Sequence, residues 1–276
     1  MTGIFQAGKH RLPFGTHTYV MGILNVTPDS FSDGGKWLEP EKAVAHALEM
    51  EEQGAEILDV GAQSTRPGFE PVAWEVEWDR LAPVLEALRG RLRIPLSVDT
   101  FYPQVAVKAA ALGADIINDI RGLDMPGMAE AIAGTGCGCV IMHHDPGYPH
   151  GVAADIRAFF EERIRLAEEA GIGKERICLD PGIGFGKEFE ENLEALRDLK
   201  KMEVPGCAML VGASRKRFIG RICGQEIPSE RLSGTLAAHT LAIAGGAHII
   251  RVHDVPESVR AARVADAILY GAAKEE

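Results

Sequence analysis

Short apolar segments alternate with longer amphipathic segments from about Tyr19 to the C-terminus, and this alternation restricts the possible folds more than any other feature. The apolar segments are rich in branched residues and bounded by Gly, Pro or Asp, as in strands that are buried on both faces. Eight such segments can be read along the chain: residues 19–26, 57–61, 95–100, 116–120, 139–143, 177–181, 208–213 and 248–253. Eight strands that alternate with helices predict an α/β fold in the form of a closed (β/α)8 TIM barrel.

The segments between these strands have the spacing of surface helices. Residues 41–53 and 157–170 each carry one apolar face, and each is followed by a glycine, Gly54 or Gly171, at the position of a left-handed cap. An open, doubly wound sheet is the alternative, but it normally has a glycine-rich turn after its first strand, and residues 25–30 contain no glycine. We therefore expect a single barrel domain over residues 1–276, with its active site at the C-terminal ends of the strands.

Composition excludes several classes of function. The formal net charge is −11 and no lysine- or arginine-rich run occurs, which disfavours a nucleic-acid partner. No uninterrupted apolar stretch of about 20 residues suggests a membrane span. The five cysteines are an odd number without a secretion signal, which indicates reduced thiols and a cytoplasmic location. A small anionic substrate is still compatible with this charge, because a few cations can be focused in a cleft.

Polar residues cluster at the predicted strand ends, where a barrel builds its active site. Asp99, Asn118 and Asp180 end the third, fourth and sixth strands, and together they form a wall of hydrogen-bond acceptors. Such a wall suits either a flat heterocycle with several N–H donors or a metal ion bound through oxygen. Capping of the following helix is the structural alternative, and it accounts well for Asp29 and Asp119.

Cations gather after the last two strands, which is a recurring phosphate site in this fold. Ser214-Arg215-Lys216-Arg217 follows the seventh strand, and Arg251 and His253 lie on the same side of the eighth. Arg66 could add a further cation from the second loop. Because cations at a helix N-terminus oppose the helix dipole, an anion bound there is the better interpretation.

The glycine-rich segment 180–187 resembles a phosphate-binding loop but has the wrong spacing, and Glu188 replaces the Ser or Thr that would bind Mg²⁺. Its glycines would let the backbone pass close to a flat ligand. Phe185 could then be a wall of the pocket or part of the core. Histidines 143, 144 and 150 are interpreted as structural, and no nucleophile motif is present.

Seven segments, in register over residues 22–254, closely resemble the dihydropteroate synthase family. They are Gly22-Ile23-Leu24-Asn25-Val26-Thr27-Pro28-Asp29-Ser30-Phe31-Ser32-Asp33-Gly34-Gly35, Ser64-Thr65-Arg66-Pro67-Gly68, Ser97-Val98-Asp99-Thr100, Ile117-Asn118-Asp119, Asp180-Pro181-Gly182-Ile183-Gly184-Phe185-Gly186-Lys187, Ser214-Arg215-Lys216 and Arg251-Val252-His253. The resemblance implies condensation of 6-hydroxymethyl-7,8-dihydropterin pyrophosphate with p-aminobenzoate in folate biosynthesis.

The resemblance also implies roles for individual residues. The implied pterin-binding residues are Asp99, Asn118, Asp180 and Lys216. The implied pyrophosphate-binding residues are Arg66, Arg251 and His253. Those near p-aminobenzoate, where sulfonamides compete, are Thr65, Pro67, Phe185 and Ser214. Catalytic roles fall to Asp33, Arg66 and Lys216, and Asn25 would bind the cofactor Mg²⁺. A homodimer is expected on the same ground, through residues 232–244 and 258–270.

Two segments depart from the family pattern. Gln63 stands where many members have Glu, and residues 143–148 differ from the usual loop after the fifth strand. The main alternative functions are a methyltetrahydrofolate:corrinoid methyltransferase domain and a pterin-binding protein without catalysis. Both would need no pyrophosphate site, so the Ser-Arg-Lys and Arg-Val-His segments argue against them.

Overall fold

The computed structural model describes residues 2–26, 38–63, 71–144 and 147–271. Within these ranges it contains an antiparallel hairpin and eight parallel strands that close into a barrel in chain order. The strands are β1 (Gly3–Ala7), β2 (His10–Phe14), β3 (Tyr19–Asn25), β4 (Ile57–Gly61), β5 (Leu96–Asp99), β6 (Ile116–Asp119), β7 (Gly138–Met142), β8 (Ile177–Asp180), β9 (Ala208–Val211) and β10 (Ile249–Val252). Strand β10 pairs with both β3 and β9, so the predicted (β/α)8 barrel is confirmed.

Helices surround the barrel and bury their apolar faces against the strands. The described ranges contain α1 (Leu38–Glu52), α2 (Trp74–Leu88), α3 (Pro103–Ala111), α4 (Met128–Thr135), α5 (Val152–Glu169), α6 (Phe189–Arg197), α7 (Arg217–Cys223), α8 (Leu232–Ala244) and α9 (Val255–Tyr270). Helix α5 begins five residues before its predicted start and buries Ile156, Phe160 and Ile164 on one face. Gly54 and Gly171, which follow α1 and α5, have φ values of 99° and 97°, in agreement with the predicted left-handed caps.

The hairpin β1–β2 was not predicted from the sequence, and it covers the N-terminal end of the barrel. Its alternating side chains Phe5, Ala7, Leu12 and Phe14 are buried in one cluster with the lower inward-facing residues of the barrel. Gly138, at the start of β7, allows this contact, since an added Cβ would lie 2.9 Å from the carbonyl oxygen of Gln6 and from the Phe5 ring. The hairpin therefore completes the apolar core at this end.

The opposite end of the same strands is polar. Side chains two positions apart on a strand point to the same side of the sheet. Two positions after each inward-facing residue of the apolar layer, the strand therefore places a second inward-facing residue nearer its C-terminal end. Ile116 is followed in this way by Asn118, Cys178 by Asp180 and Ile249 by Arg251. The pleat of the barrel strands thus directs the polar residues towards one cavity at the predicted face.

Four of the five cysteines are buried, and Cys223 is exposed; all five are free thiols. Across the described parts of the chain, the search for a helix both long and apolar enough to cross a bilayer finds none.

Candidate active site

A pocket at the C-terminal ends of the barrel strands brings together six of the residues that sequence analysis singled out: Asp99, Asn118, Asp180, Phe185, Lys216 and Arg251. It is lined by Asp99, Asn118, Ile120, Met142, Asp180, Ile183, Phe185, Gly212, Lys216 and Arg251. The predicted acceptors and two of the predicted cations therefore line a single cavity.

The two aspartates of the pocket are held by neighbouring hydrogen-bond donors. Asp180 Oδ1 accepts a hydrogen bond from the Gly182 backbone N–H at 2.7 Å, and Asp99 Oδ2 accepts one from Arg251 Nη2 at 3.2 Å. Burial raises the pKa of Asp180. Burial also raises the pKa of Asp99 to about 8, against the effect of Arg251 and with a smaller contribution from Asp59. A donor-rich ligand would replace the lost hydration of both carboxyl groups.

Asp59, on β4, belongs to this site although sequence analysis missed it. Its side chain is fully buried behind the pocket wall. Oδ1 accepts from Ser97 Oγ at 2.6 Å, and Oδ2 accepts from Arg251 Nε at 2.7 Å and from Asn118 Nδ2 at 3.1 Å. A charged residue inside an apolar strand, as in Ile57-Leu58-Asp59-Val60, was the signal available, because buried carboxylates need partners.

Lys216 and Phe185 form the opposite wall. The Lys216 ammonium lies 4.1 Å from the centre of the Phe185 ring, at a distance where a cation and an aromatic face attract each other. Burial and the nearby Arg251 lower the pKa of Lys216 to about 8, while Asp180 and Asp99 oppose this shift. Phe185, which the sequence could not place, is thus a wall of the pocket.

Lys187 fixes the glycine-rich loop that carries Phe185. Its ammonium donates to the carbonyl oxygens of Gly182 and Phe185 at 3.1 and 3.2 Å, and it contacts His143 Nδ1 at 3.2 Å. Burial and then Lys187 lower the pKa of His143 to about 3, so the ring is a neutral acceptor. An added Cβ at Gly182, where φ is 66°, would lie 1.9 Å from the His143 carbonyl oxygen, so this close approach requires glycine. His143 is therefore structural, as predicted.

Two of the three cations after β9, Arg215 and Arg217, are not among the residues that line the pocket. Arg215 has a φ of 57°, which is unusual for a residue with a side chain, and this conformation turns it towards Asp254. Its Nε and Nη2 lie 3.0 and 2.5 Å from the two oxygens of that carboxylate. Arg215 is therefore paired with Asp254, and Lys216 is the cation of this segment that lines the pocket.

The predicted pyrophosphate residues lie at different depths. Arg251 is inside the acceptor wall, bound to Asp59 and Asp99, and does not form a separate cationic pole. His253 is exposed and is not among the residues that line the pocket, and its Nδ1 lies 2.9 Å from Ser214 Oγ. Arg251 is therefore part of the pocket lining, whereas His253 is not.

The second loop carries Thr65, Arg66 and Pro67, and these residues, like Asp33, lie outside the described part of the chain. The residues on either side of this loop are described. Gln63 Oε1 accepts from the Val72 N–H at 3.1 Å, and its Nε2 donates to the buried Glu77. Tyr102 Oη donates to the Val72 carbonyl oxygen at 2.6 Å.

The described residues were also searched for a metal site. No group of three or more His, Cys, Asp or Glu side chains among them could hold a metal ion. Asn25, the predicted Mg²⁺ ligand, is exposed at the C-terminal end of β3 and offers one amide oxygen. One such ligand fits the chemistry of Mg²⁺, which commonly binds through one or two protein oxygens, water and substrate phosphates.

Comparison with known proteins agrees with the geometry of the site. The family described as "Pterin binding enzyme" matches residues 21–253. The dihydropteroate synthase of Escherichia coli strain K12 is 48% identical over 263 residues, which cover 92% of this chain and 93% of that protein. The corresponding protein of Synechocystis is 44% identical over 270 residues, covering 95% of this chain and 93% of that protein.

Solved structures give the same result. The Xanthomonas albilineans dihydropteroate synthase with 4-aminobenzoic acid superposes with a TM-score of 0.92 at 44% identity, covering 98% of this chain and 99% of that one. The same protein in complex with 7,8-dihydropteroate gives a TM-score of 0.88 at 43% identity, with coverage of 96% and 98%. By both sequence and fold, this chain belongs to the dihydropteroate synthase family of pterin-binding enzymes.

Proposed function

We propose that this protein is a transferase of folate biosynthesis that joins 6-hydroxymethyl-7,8-dihydropterin pyrophosphate to p-aminobenzoate, giving 7,8-dihydropteroate and pyrophosphate. The observation that carries the proposal is the single pocket that the acceptors Asp99, Asn118 and Asp180 line together with Lys216 and Arg251. Relatives whose structures hold 4-aminobenzoic acid or 7,8-dihydropteroate support it.

The acceptor wall would bind the pterin ring. A pterin presents several N–H donors along one edge, and a carboxylate can accept two parallel bonds from such an edge. Asp180 is suited to this role because Gly182 holds one of its oxygens in a fixed direction. Lys216 would donate to the acceptor atoms of the ring from the opposite wall.

Departure of pyrophosphate requires stabilisation of negative charge as the carbon–oxygen bond breaks. Arg251 and His253 would supply fixed donors between the pocket floor and its rim, and Arg66 would add a cation from the second loop. Mg²⁺, when bound, would neutralise charge on the diphosphate, and Asn25 would contribute one oxygen to it. The electron-rich pterin can share the positive charge that develops on the exocyclic carbon.

The arylamine nitrogen of p-aminobenzoate then forms the new carbon–nitrogen bond and loses a proton. Phe185 offers an aromatic face in the pocket lining, and Ser214 is buried beside His253. Thr65 and Pro67 would complete this subsite from the second loop, and Asp33 and Arg66 would act from the first two loops. No covalent intermediate with the protein is needed, which agrees with the lack of a nucleophile motif in the sequence.

The test is Mg²⁺-dependent release of pyrophosphate from the pterin pyrophosphate ester, measured with and without p-aminobenzoate. We expect release coupled to formation of dihydropteroate, and a loss of both in Asp180→Asn. The Asp115→Asn variant, with its change at the opposite end of the barrel, serves as the matched control. Transfer of a methyl group from a folate to a corrinoid, without pyrophosphate release, would instead identify the alternative pterin-binding activity.

We also propose a homodimer that uses α8 and α9. These helices pack on each other and leave Leu241, Val264 and Ile268 exposed by 70%, 61% and 78%. Apolar groups in one area indicate a contact surface. Light scattering should show a dimer for the unaltered protein and a monomer for Ile268→Glu; a monomer in both would refute the proposal.

The partners proposed are thus these small-molecule substrates and a second copy of the chain. A cytoplasmic location is supported by the five free cysteines.

A further inference from the structure

We propose that Asp59 is a positioning residue that fixes which amide atom of Asn118 faces the pocket and how the guanidinium of Arg251 is oriented. Through these two residues, Asp59 determines which edge of a heterocycle the pocket accepts. This inference rests on the proposed pterin substrate. Asp59 itself is fully buried and acts through the two residues that it holds.

The carboxylate of Asp59 receives three donors from three different strands. Ser97 on β5 occupies Oδ1, while Asn118 on β6 and Arg251 on β10 share Oδ2. Their donor–acceptor distances are 2.6, 3.1 and 2.7 Å. Because strands on both sides of β4 contribute, a change at Asp59 reaches both the acceptor wall and the cationic floor of the pocket.

The amide of Asn118 has two possible orientations, and Asp59 selects one of them. The amide nitrogen faces the carboxylate and donates to its Oδ2 at 3.1 Å, as expected opposite an oxygen that accepts hydrogen bonds. The amide oxygen is then directed away from the carboxylate, so it can serve as an acceptor in the pocket that Asn118 lines. A rotation by 180° would set the oxygen against the carboxylate and present N–H donors to the ligand. Asp59 thereby makes Asn118 an acceptor, in keeping with Asp99 and Asp180.

Arg251 is oriented by the same carboxylate. Its Nε is bound to Asp59 and its Nη2 to Asp99, so one edge of the planar guanidinium is used within the wall. The edge that carries Nη1 is the one that can face a diphosphate. Without Asp59, Arg251 would have Asp99 as its nearest carboxylate, and a closer pair between them would withdraw Asp99 from the ligand.

The experiment measures calorimetric affinity for 6-hydroxymethylpterin, which lacks the diphosphate, in Asp59→Asn and in the matched control Asp115→Asn. Asp115 is also a buried aspartate that accepts a backbone N–H, from Leu96, but it lies at the hairpin end of the barrel. We expect Asp59→Asn to weaken binding on the order of tenfold or more, because its amide can donate to Asn118 and so permit the reversed orientation. Asp115→Asn should bind as the unaltered protein does.

A double-mutant cycle separates positioning from a general loss of structure. If Asp59 acts through Asn118, the loss of pterin affinity caused by Asp59→Asn should be clearly smaller in the Asn118→Ala background than in the unaltered protein. The equivalent cycle with Arg251→Ala, measured with the diphosphate ester, should also be non-additive. Additive losses in both cycles, or unchanged affinity in Asp59→Asn, would overturn the inference.

Two further measurements keep these outcomes distinct. If Asp59→Asn does not fold, Ser97→Ala provides the test, because it removes the donor to Oδ1 and leaves the Asn118 and Arg251 contacts in place. It should weaken pterin binding only a few-fold, and a loss as large as that of Asn118→Ala would contradict the proposal. If the unaltered protein does not bind the pterin, the proposed function is refuted. If the unaltered protein binds the pterin but the variants do not show the expected affinities, only the proposed role of Asp59 is refuted.

Discussion

The two ends of the barrel interior are built on the same strands yet differ in every chemical respect. The N-terminal end is a closed apolar layer that the hairpin β1–β2 covers. The C-terminal end, two residues further along the strands, holds Asp59, Asp99, Asp180 and Arg251 in a pocket and its wall. The comparison teaches that stability and binding are divided along the barrel axis, because apolar burial stabilises the fold while buried charges oppose it unless they are paired.

The shifted pKa values of Asp99 and Lys216 show the cost of burying charged groups at the C-terminal end of the barrel. Burial raises the pKa of Asp99 to about 8 and lowers that of Lys216 to about 8, so both groups titrate far from their ordinary range. Such shifts are typical of functional sites, where groups are held ready for a ligand at a cost in stability. Substitutions at the two ends should therefore have separable effects.

The largest effect is expected for Phe5→Ala at the hairpin end. Loss of this fully buried ring should lower the free energy of unfolding by about 3–5 kcal/mol, measured by urea denaturation. The neighbouring Ile4→Ala, on the exposed face of the same strand, should have a much smaller effect. Pterin affinity of folded Phe5→Ala should be unchanged; a large loss of affinity would show that the two ends are coupled.

At the other end, Asp180→Asn should reduce pterin binding rather than stability. The substitution keeps an oxygen for the Gly182 N–H but removes the charge that would face the ring donors. We expect a loss of about 1.5–3 kcal/mol in calorimetric binding free energy. An affinity equal to that of the unaltered protein would remove Asp180 from the pterin site.

A smaller effect should follow from pH through Lys216. Its pKa of about 8 means that the positive charge is lost as pH rises from 7 to 9, so affinity for the diphosphate ester should fall, by at most about tenfold per pH unit for one proton. In Lys216→Arg the charge persists and this step should disappear. Asp99 is present in both proteins, so any step due to it cancels in the comparison. Identical pH profiles would exclude Lys216 as the titrating group.

Stability should respond to Lys216 in the opposite direction. Its folded pKa lies below the ordinary value of 10.5, so the unfolded chain binds more protons between these values. The contribution of Lys216 to the free energy of unfolding should therefore rise as pH increases through this window.

The smallest effect is expected for Tyr102→Phe beside the second loop. The change removes one hydrogen bond, from Oη to the Val72 carbonyl oxygen, and should lower the free energy of unfolding by about 0.5–1.5 kcal/mol in urea. Pterin affinity should stay the same. A marked loss of affinity would show that this bond supports the pocket as well as the fold.

The barrel could be predicted because strands buried on both faces produce continuous apolar runs. The hairpin could not be found by that rule, since its strands alternate polar and apolar residues and only one face is buried. Phe5 and Ala7 before Gly8-Lys9, with Leu12 and Phe14 after it, would have indicated a half-buried hairpin.

Within the site, the position of polar residues at strand ends was sufficient to place Asp99 and Asp180 in one pocket. Two features depended on geometry that sequence spacing does not contain. Asp59 lies one pleat below the strand end and reaches the site through its neighbours, and Arg215 turns away because of its backbone conformation.

The hairpin has a consequence for how the chain folds during synthesis. Strand β1 is made first, but the strands that it contacts, β7, β8 and β9, extend to Val211. At ribosomal rates, the buried face of the hairpin would wait roughly 10–40 s for these strands to emerge. During that interval Phe5 and Phe14 have no native surface to cover them, so the emerging chain should depend on chaperones most strongly before β9 leaves the ribosome.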